Sequence, residues 1–117
     1  MAQKIELGKS GEALIAEYLM QKGYSIIDRN WRIKGGEIDL IASSPEGVMV
    51  FVEVKTRSSE SFGHPLEAIN SDKQARLMRL ALAWLLANKK WSNPYRIDCA
   101  AVIMGDPPKI DYRAGVI

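Results

Sequence analysis

One cysteine, one histidine and two phenylalanines stand among 117 residues, and neither sign of charge dominates. A lone cysteine, Cys99, rules out an intramolecular disulfide, and with His64 as the single histidine no zinc cluster is spelled out. Cys99 lies in the apolar segment Ile97-Asp98-Cys99-Ala100-Ala101-Val102 and is expected to pack as a small hydrophobe. The longest apolar run, Leu80 to Ala87, is far short of the roughly 20 residues a membrane-spanning helix needs. Met1 to Glu6 carries no apolar stretch of secretory type, so a cytoplasmic protein without a membrane partner is expected. A net charge of +2 is too small to announce a nucleic-acid partner by itself. Repeats, low-complexity tracts and internal linkers are all missing, so residues 1–117 are expected to form one domain with a modest core.

What is present is an unbroken apolar strand with charge at its end. Val48, Met49, Val50, Phe51 and Val52 run on without a polar residue, the pattern of a strand covered on both faces. Glu53 and Lys55 then appear before the strand closes at Thr56-Arg57. Residues two apart on a strand share a face, so Glu53 and Lys55 stand side by side while Val52 and Val54 face the other way. A lone Glu-x-Lys is commonly a solvated pair that contributes little. Its neighbours decide whether this one is more.

Upstream, Leu7, Gly11, Leu14, Ile15, Tyr18 and Leu19 recur at helical spacing, which predicts a helix from about Leu7 to Lys22 with Gly23 as its left-handed cap. Gly8 and Gly11 would let that helix approach another element closely. Glu12 shares a flank of the apolar stripe, either as a first-turn acid complementing the helix dipole or as a functional group. Tyr24 to about Arg32 reads as a first strand, with Trp31 as an edge or core anchor, and Lys34-Gly35-Gly36 turns the chain. Glu37 to Ala42 alternates with period two, setting Ile38, Leu40 and Ala42 on one face and Glu37, Asp39 and Ile41 on the other. Ser43-Ser44-Pro45-Glu46-Gly47 is a turn cluster, so this strand and the charged one should form an antiparallel hairpin. A loop of about five residues sets Ala42 opposite Val48 and Asp39 diagonal to Glu53. Shifting the pairing sum by two sets Asp39 directly opposite Glu53. In both registers residues 39 and 53 share a face and lie within reach of each other.

Ser58 to Gly63 reads as a polar loop leading into His64-Pro65, whose histidine is expected to be incidental and not a general base. Ser71-Asp72-Lys73-Gln74 has the form of a capping box with Ser71 as N-cap. It opens a helix with an apolar stripe of Leu77, Leu80, Ala81, Trp84 and Leu85, ending near Asn88-Lys89-Lys90. Lys73, Arg76 and Arg79 line its first two turns, as a solvated face or as a strip of phosphate contacts. Tyr95 to Met104 is another strand, and Lys109 to Tyr112 a short edge strand beyond Pro107-Pro108. The order gives an α/β fold, a mixed sheet flanked by helices.

Two carboxylates converging on one face raise each other's pKa and destabilise a sheet unless positive charge intervenes. Lys55 supplies one such charge. A divalent cation held by carboxylate oxygens and waters, as Mg2+ is, would supply the rest. Such an ion polarises a phosphoryl oxygen, and a lysine beside it offsets charge on the phosphorus under attack. These parts suit phosphodiester hydrolysis.

Asp39, followed one hairpin later by Glu53-Val54-Lys55, resembles the PD-(D/E)XK nuclease superfamily, the fold of restriction endonucleases and archaeal Holliday-junction resolvases. Gly11-Glu12-Ala13, Lys22-Gly23-Tyr24, Arg29-Asn30-Trp31-Arg32, Gly36-Glu37-Ile38-Asp39-Leu40-Ile41 and Phe51-Val52-Glu53-Val54-Lys55-Thr56-Arg57 resemble more closely the bacterial YraN-type family, described as endonuclease-like. The resemblance covers nearly the whole chain. It implies a restriction-endonuclease-like αβββαβ core and an endonuclease, dependent on Mg2+ or Mn2+, that acts on branched or single-stranded DNA. A nucleic-acid-binding protein of the same fold with weak or no catalysis is the alternative. Carried onto this chain, Asp39 and Glu53 become metal-binding carboxylates, the Val54 carbonyl a further ligand and Lys55 the catalytic lysine. Glu12 matches the helical glutamate that resolvase-like members add to the site. Arg57, Gln74 and Arg76 are the candidates for nucleic-acid contacts. Ile38 stands where the superfamily motif carries proline. The implied partner is DNA or another nucleic acid, and a homodimer would fit a branched substrate.

Overall fold

The computed structural model describes residues 2–59 and 64–117, so most of the loop expected over Ser58–Gly63 and the side chain of Leu7 lie outside the described residues. Helix α1 spans Ala2–Gln21, starting ahead of its apolar stripe. It stops as Gly23 donates its N–H to the Met20 carbonyl at 3.0 Å and Tyr24 donates to Leu19 at 3.1 Å, the paired bonds of a glycine-terminated helix. Strands β1 (Ser25–Ile33), β2 (Gly36–Ser43) and β3 (Met49–Arg57) follow in sequence. A one-turn helix, Pro65–Ala68, then precedes helix α2 (Ser71–Ala87), and strands β4 (Tyr95–Ile103) and β5 (Lys109–Arg113) complete the sheet. The strand order is β1-β2-β3-β4-β5, antiparallel throughout except for the parallel pair β3 and β4. A parallel pair needs a long crossover, and α2 provides it. The αβββαβ order and the mixed sheet between helices are those expected.

Each helix covers one face of the sheet. Ile15, Ala16 and Leu19 of α1 pack on Leu40, Ala42, Val50, Val52, Val54, Ala100 and Val102. On the opposite side Leu77, Leu80, Ala81, Trp84 and Leu85 of α2 pack on Ile41, Phe51 and Ile97, the stripe read from the sequence. Sandwiched in this way, β3 is buried continuously from Met49 to Val54.

Of the two hairpin registers left open by the sequence, the structure takes the one shifted by two. Ala42 faces Val50, not Val48, and Leu40 faces Val52. The connection between the paired strands keeps five residues, 44–48, but lies one residue further along than 43–47, and it is closed from within: Ser44 donates its N–H to the Val48 carbonyl at 2.9 Å and its Oγ accepts from the Val48 N–H at 3.0 Å. That leaves Pro45-Glu46-Gly47 as a three-residue turn, closed by Gly47 at φ +85°. Continued one step, this register brings Asp39 opposite Glu53.

Strict alternation along β2 also fails at one place. Ile38 packs with Ile41 in the α2-side cluster, whereas Leu40 and Ala42 join the α1 side. The paired ladder between β2 and β3 ends at Leu40, which frees the earlier residues to rotate. At α2, the N-cap is Asn70 and not Ser71. Asn70 is the last residue with extended backbone (ψ −178°), and its side-chain oxygen accepts from the Lys73 N–H at 3.0 Å. His64 caps the one-turn helix, accepting from the Leu66 N–H at 3.2 Å through Nδ1, while its Nε2 lies 3.3 Å from Asp111 Oδ2. That arrangement makes it a structural histidine. Trp31 sits on edge strand β1 and packs partly against the α2-side core, as an anchor does. No helix among the described residues is long and apolar enough to cross a membrane.

Candidate functional site

The parting of β2 from β3 builds the site. Past Leu40, Asp39 turns its side chain into the gap and its Oδ2 accepts the Val54 N–H at 2.8 Å. A carboxylate thus stands where a ladder carbonyl would otherwise be. The N–H and C=O of a strand residue leave by the same edge, so the Val54 carbonyl opens toward this gap as well. Glu53, on the neighbouring position, holds Lys55 Nζ 3.1 Å from its Oε1, with side chains 10% and 22% exposed respectively. The pair is nearly buried, unlike the solvated pair that a lone Glu-x-Lys commonly makes.

Helix α1 contributes Glu12. The helix can press onto the end of β3 because residue 11 is glycine: a Cβ there would fall 1.9 Å from Thr56 Oγ1. Glu12 Oε1 accepts a 2.7 Å hydrogen bond from Asn30 Nδ2, on the outer strand β1. One carboxylate oxygen each from Glu12, Glu37 and Asp39 lie within 4.8 Å of one another. Arg32 forms an ion pair with Glu37 from β1. Glu53 is outside this trio, its carboxylate turned to Lys55. Glu37 is the member that reading the residues did not single out. Its signal was present, since it stands two positions before Asp39 on a period-two strand.

Burial chiefly, then the charge of Glu53, with smaller contributions from Glu12 and Glu37, pushes the Asp39 carboxyl up to about 8 against the pull of the Val54 N–H. Glu12 is likewise raised, by burial first and then by Glu37 and Glu53, while the Asn30 amide and Lys9 act the other way. Acids that resist ionisation because they are buried, and further because they face each other, are relieved by a cation between them. All-oxygen donors at this spacing fit a hard divalent ion. Helix α2 brings a second cation close to Lys55: the charge of Lys55, ahead of burial and Arg76, lowers the Lys73 ammonium. The stem of Arg76 runs past Gly36, its Cδ 3.6 Å from where a Cβ on that glycine would lie. Arg57 is half-buried at the end of β3, donating from Nη1 to the Thr56 carbonyl at 3.2 Å. Gln74 lines a cavity with Leu66, Ile69, Cys99, Arg113 and Val116. The structure therefore gathers Asp39 and Glu12 with Glu37, sets Glu53 and Lys55 beside them, and turns Gln74 to the cavity it shares with Cys99.

Residues 11–102 match the uncharacterised protein family UPF0102. The chain belongs to this family. The matched span of this UPF0102 protein includes Glu12, Glu37, Asp39, Glu53 and Lys55. A UPF0102 protein of Renibacterium salmoninarum is 45% identical over 118 residues, covering 99% of both chains. One from Leifsonia xyli subsp. xyli is 44% identical over 119 residues and covers all of both. One from Alkaliphilus metalliredigens reaches 46% over 106 residues, covering 91% of this chain and 92% of its own. Among solved structures, Pyrococcus furiosus SfsA in complex with Ca2+ aligns at a TM-score of 0.42 and 17% identity, over 95% of this chain and 63% of that one.

Proposed function

We propose that this UPF0102 protein is a divalent-metal-dependent endonuclease that hydrolyses phosphodiester bonds in DNA. The observation that carries this reading is the meeting of Glu12, Glu37 and Asp39 oxygens within 4.8 Å, beside the Glu53–Lys55 pair. Asp39, Glu12 and Glu37 would hold Mg2+ or Mn2+, with Glu53 and the Val54 carbonyl bordering the same gap. When bound, the ion supplies positive charge to a phosphoryl oxygen and to the acids around it. The rest falls to the chain's own groups. Lys55 carries three donors and no acceptor, so it orients a water or a phosphate oxygen and offsets negative charge there. Glu53 fixes where that ammonium sits. Lys73, next to Lys55, extends the positive charge toward the path of a nucleic-acid backbone.

The test is a cleavage screen of single-stranded, duplex and four-way-junction DNA in Mg2+, Mn2+ and chelator. Cleavage should need the metal and fall by about 100-fold or more in Lys55→Ala, the usual scale for losing one charge-stabilising donor. Metal-independent cleavage, or a Lys55→Ala variant as active as wild type, would remove the proposal. Binding of these DNAs with no cleavage in any metal would leave a nucleic-acid-binding protein of the same fold.

A further inference from the structure

The cavity lined by Leu66, Ile69, Gln74, Cys99, Arg113 and Val116 has no part in the reading above. It sits beside the site for a reason fixed by the sheet. Cys99 is the partner of Glu53 in the parallel β3–β4 register, so the cavity wall stands one strand spacing, about 4.8 Å, from the catalytic edge. The Cys99 thiol is itself inert, since burial first, then the charges of Glu53 and Asp98, push it up to about 11. It serves as an apolar wall.

The volume of the cavity, about 140 Å3, bounds what fits. An apolar cavity of roughly 150 Å3 is known to hold a single benzene ring. One six-membered ring therefore fills the cavity, which is open to solvent on one side, and the second ring of a purine would be left outside it. The lining has the matching chemistry. Leu66, Ile69, Val116 and Cys99 offer apolar contact, while the Gln74 amide presents a donor and an acceptor in one plane, as a base edge requires. Arg113 adds a guanidinium that Asp111 holds at 3.1 Å.

We infer that this cavity receives one unpaired pyrimidine base of the DNA strand whose phosphate lies at Glu53 and Lys55. The inference rests on the nuclease reading and narrows it to single-stranded or locally unpaired DNA with a pyrimidine next to the cut. Duplex DNA would have to extrude that base before cleavage.

Binding of the full-length protein to short single-stranded oligonucleotides, measured by fluorescence anisotropy in chelator, tests the pocket without any chemistry. A single thymine, cytosine, adenine or abasic site is placed in an otherwise constant sequence. Thymine and cytosine should bind about tenfold more tightly than adenine or the abasic site, within the usual range for one base held against a protein wall. Leu66→Trp, which fills the cavity, and Gln74→Ala, on a partly exposed helix position that tolerates alanine, should each erase that preference. Equal affinity for all four oligonucleotides, or a preference that survives both substitutions, would overturn the inference. Cleavage without base preference would sink the pocket alone. A pyrimidine preference without metal-dependent cleavage would sink the nuclease reading and leave the pocket standing.

Discussion

Asp39 shows how one residue can weigh on the fold while joining a cluster of acids. Its carboxyl is raised from 3.8 to about 8, so between those values the folded chain holds a proton that the unfolded chain has lost. Stability must then fall as pH rises through that window, because the unfolded state binds fewer protons. Asp39→Asn keeps an acceptor for the Val54 N–H and removes the loss. In chelator at pH 7.5 the variant should be more stable than wild type by roughly 1–3 kcal/mol. Thermal melts should register this as a gain of several degrees. Mg2+ should raise the wild-type Tm, as any ligand of the folded state does, and leave the Asn variant unmoved. Equal melting of the two proteins in chelator would mean that the acid ionises at no cost. Glu37→Gln separates metal binding from this strain more cleanly, because Glu37 is a second oxygen donor of the trio. Titration of Mn2+ by calorimetry should show affinity weakened about tenfold, the lower end of what a lost ligand-shell group costs.

Among the elements, Gly8 and Gly11 of α1 make opposite predictions from one sequence signal. Both glycines were expected to permit close approach, yet only Gly11 does so: a Cβ at Gly8 meets nothing within 4 Å. Gly8→Ala should therefore stabilise the helix by up to about 1 kcal/mol. Gly11→Ala should destabilise by roughly 1–3 kcal/mol through overpacking against Thr56. Urea midpoints read both, and a matching gain at residue 11 would contradict the seating of α1. Such pairs mark the boundary of what a sequence discloses. The helical stripe of α2 and the buried run of β3 were legible because burial imposes a period on many residues at once. That Asp39 and Glu12 come together was legible through motif and flank, but that Glu37 joins them was not. Glu37 joins them because the residues of β2 before Leu40 are not paired with β3, a break that no period announces. Of the two registers the sequence left open, the one that sets Asp39 opposite Glu53 is taken, and the bonds between Ser44 and Val48 across the turn go with it. The helix cap missed by one because Asn70 and Ser71 both carry suitable oxygens and only backbone angles choose between them.

At the scale of the whole molecule, a second polar centre lies apart from the acids near Val54. Asp98, fully buried on β4, reads in the sequence as one more position in an apolar segment. In the fold it accepts from Arg96 Nε at 3.0 Å, from the Tyr112 hydroxyl and from the Gly115 N–H at 2.8 Å. Arg96 in turn donates to the Tyr24 hydroxyl, and Tyr112 stacks on Tyr18 of α1 with ring centroids 5.3 Å apart. One carboxylate thus ties together the end of α1, the start of β1, strands β4 and β5, and the chain beyond β5. This centre shares no residue with the acid trio, so each can vary without the other. Asp98→Ala leaves a guanidinium and a hydroxyl without their acceptor, and breaking a buried pair from one side costs about 3–5 kcal/mol. Tyr112→Phe removes a single donor and keeps the stacked ring, so it should cost only about 1 kcal/mol. Urea denaturation should separate the two variants by that margin. Amide exchange at Gly115 and Val116 should quicken only in Asp98→Ala, because the Gly115 N–H loses its acceptor there. Equal costs for the two variants, with exchange unchanged, would mean that the last residues are held by packing and that Asp98 is a passenger in the core.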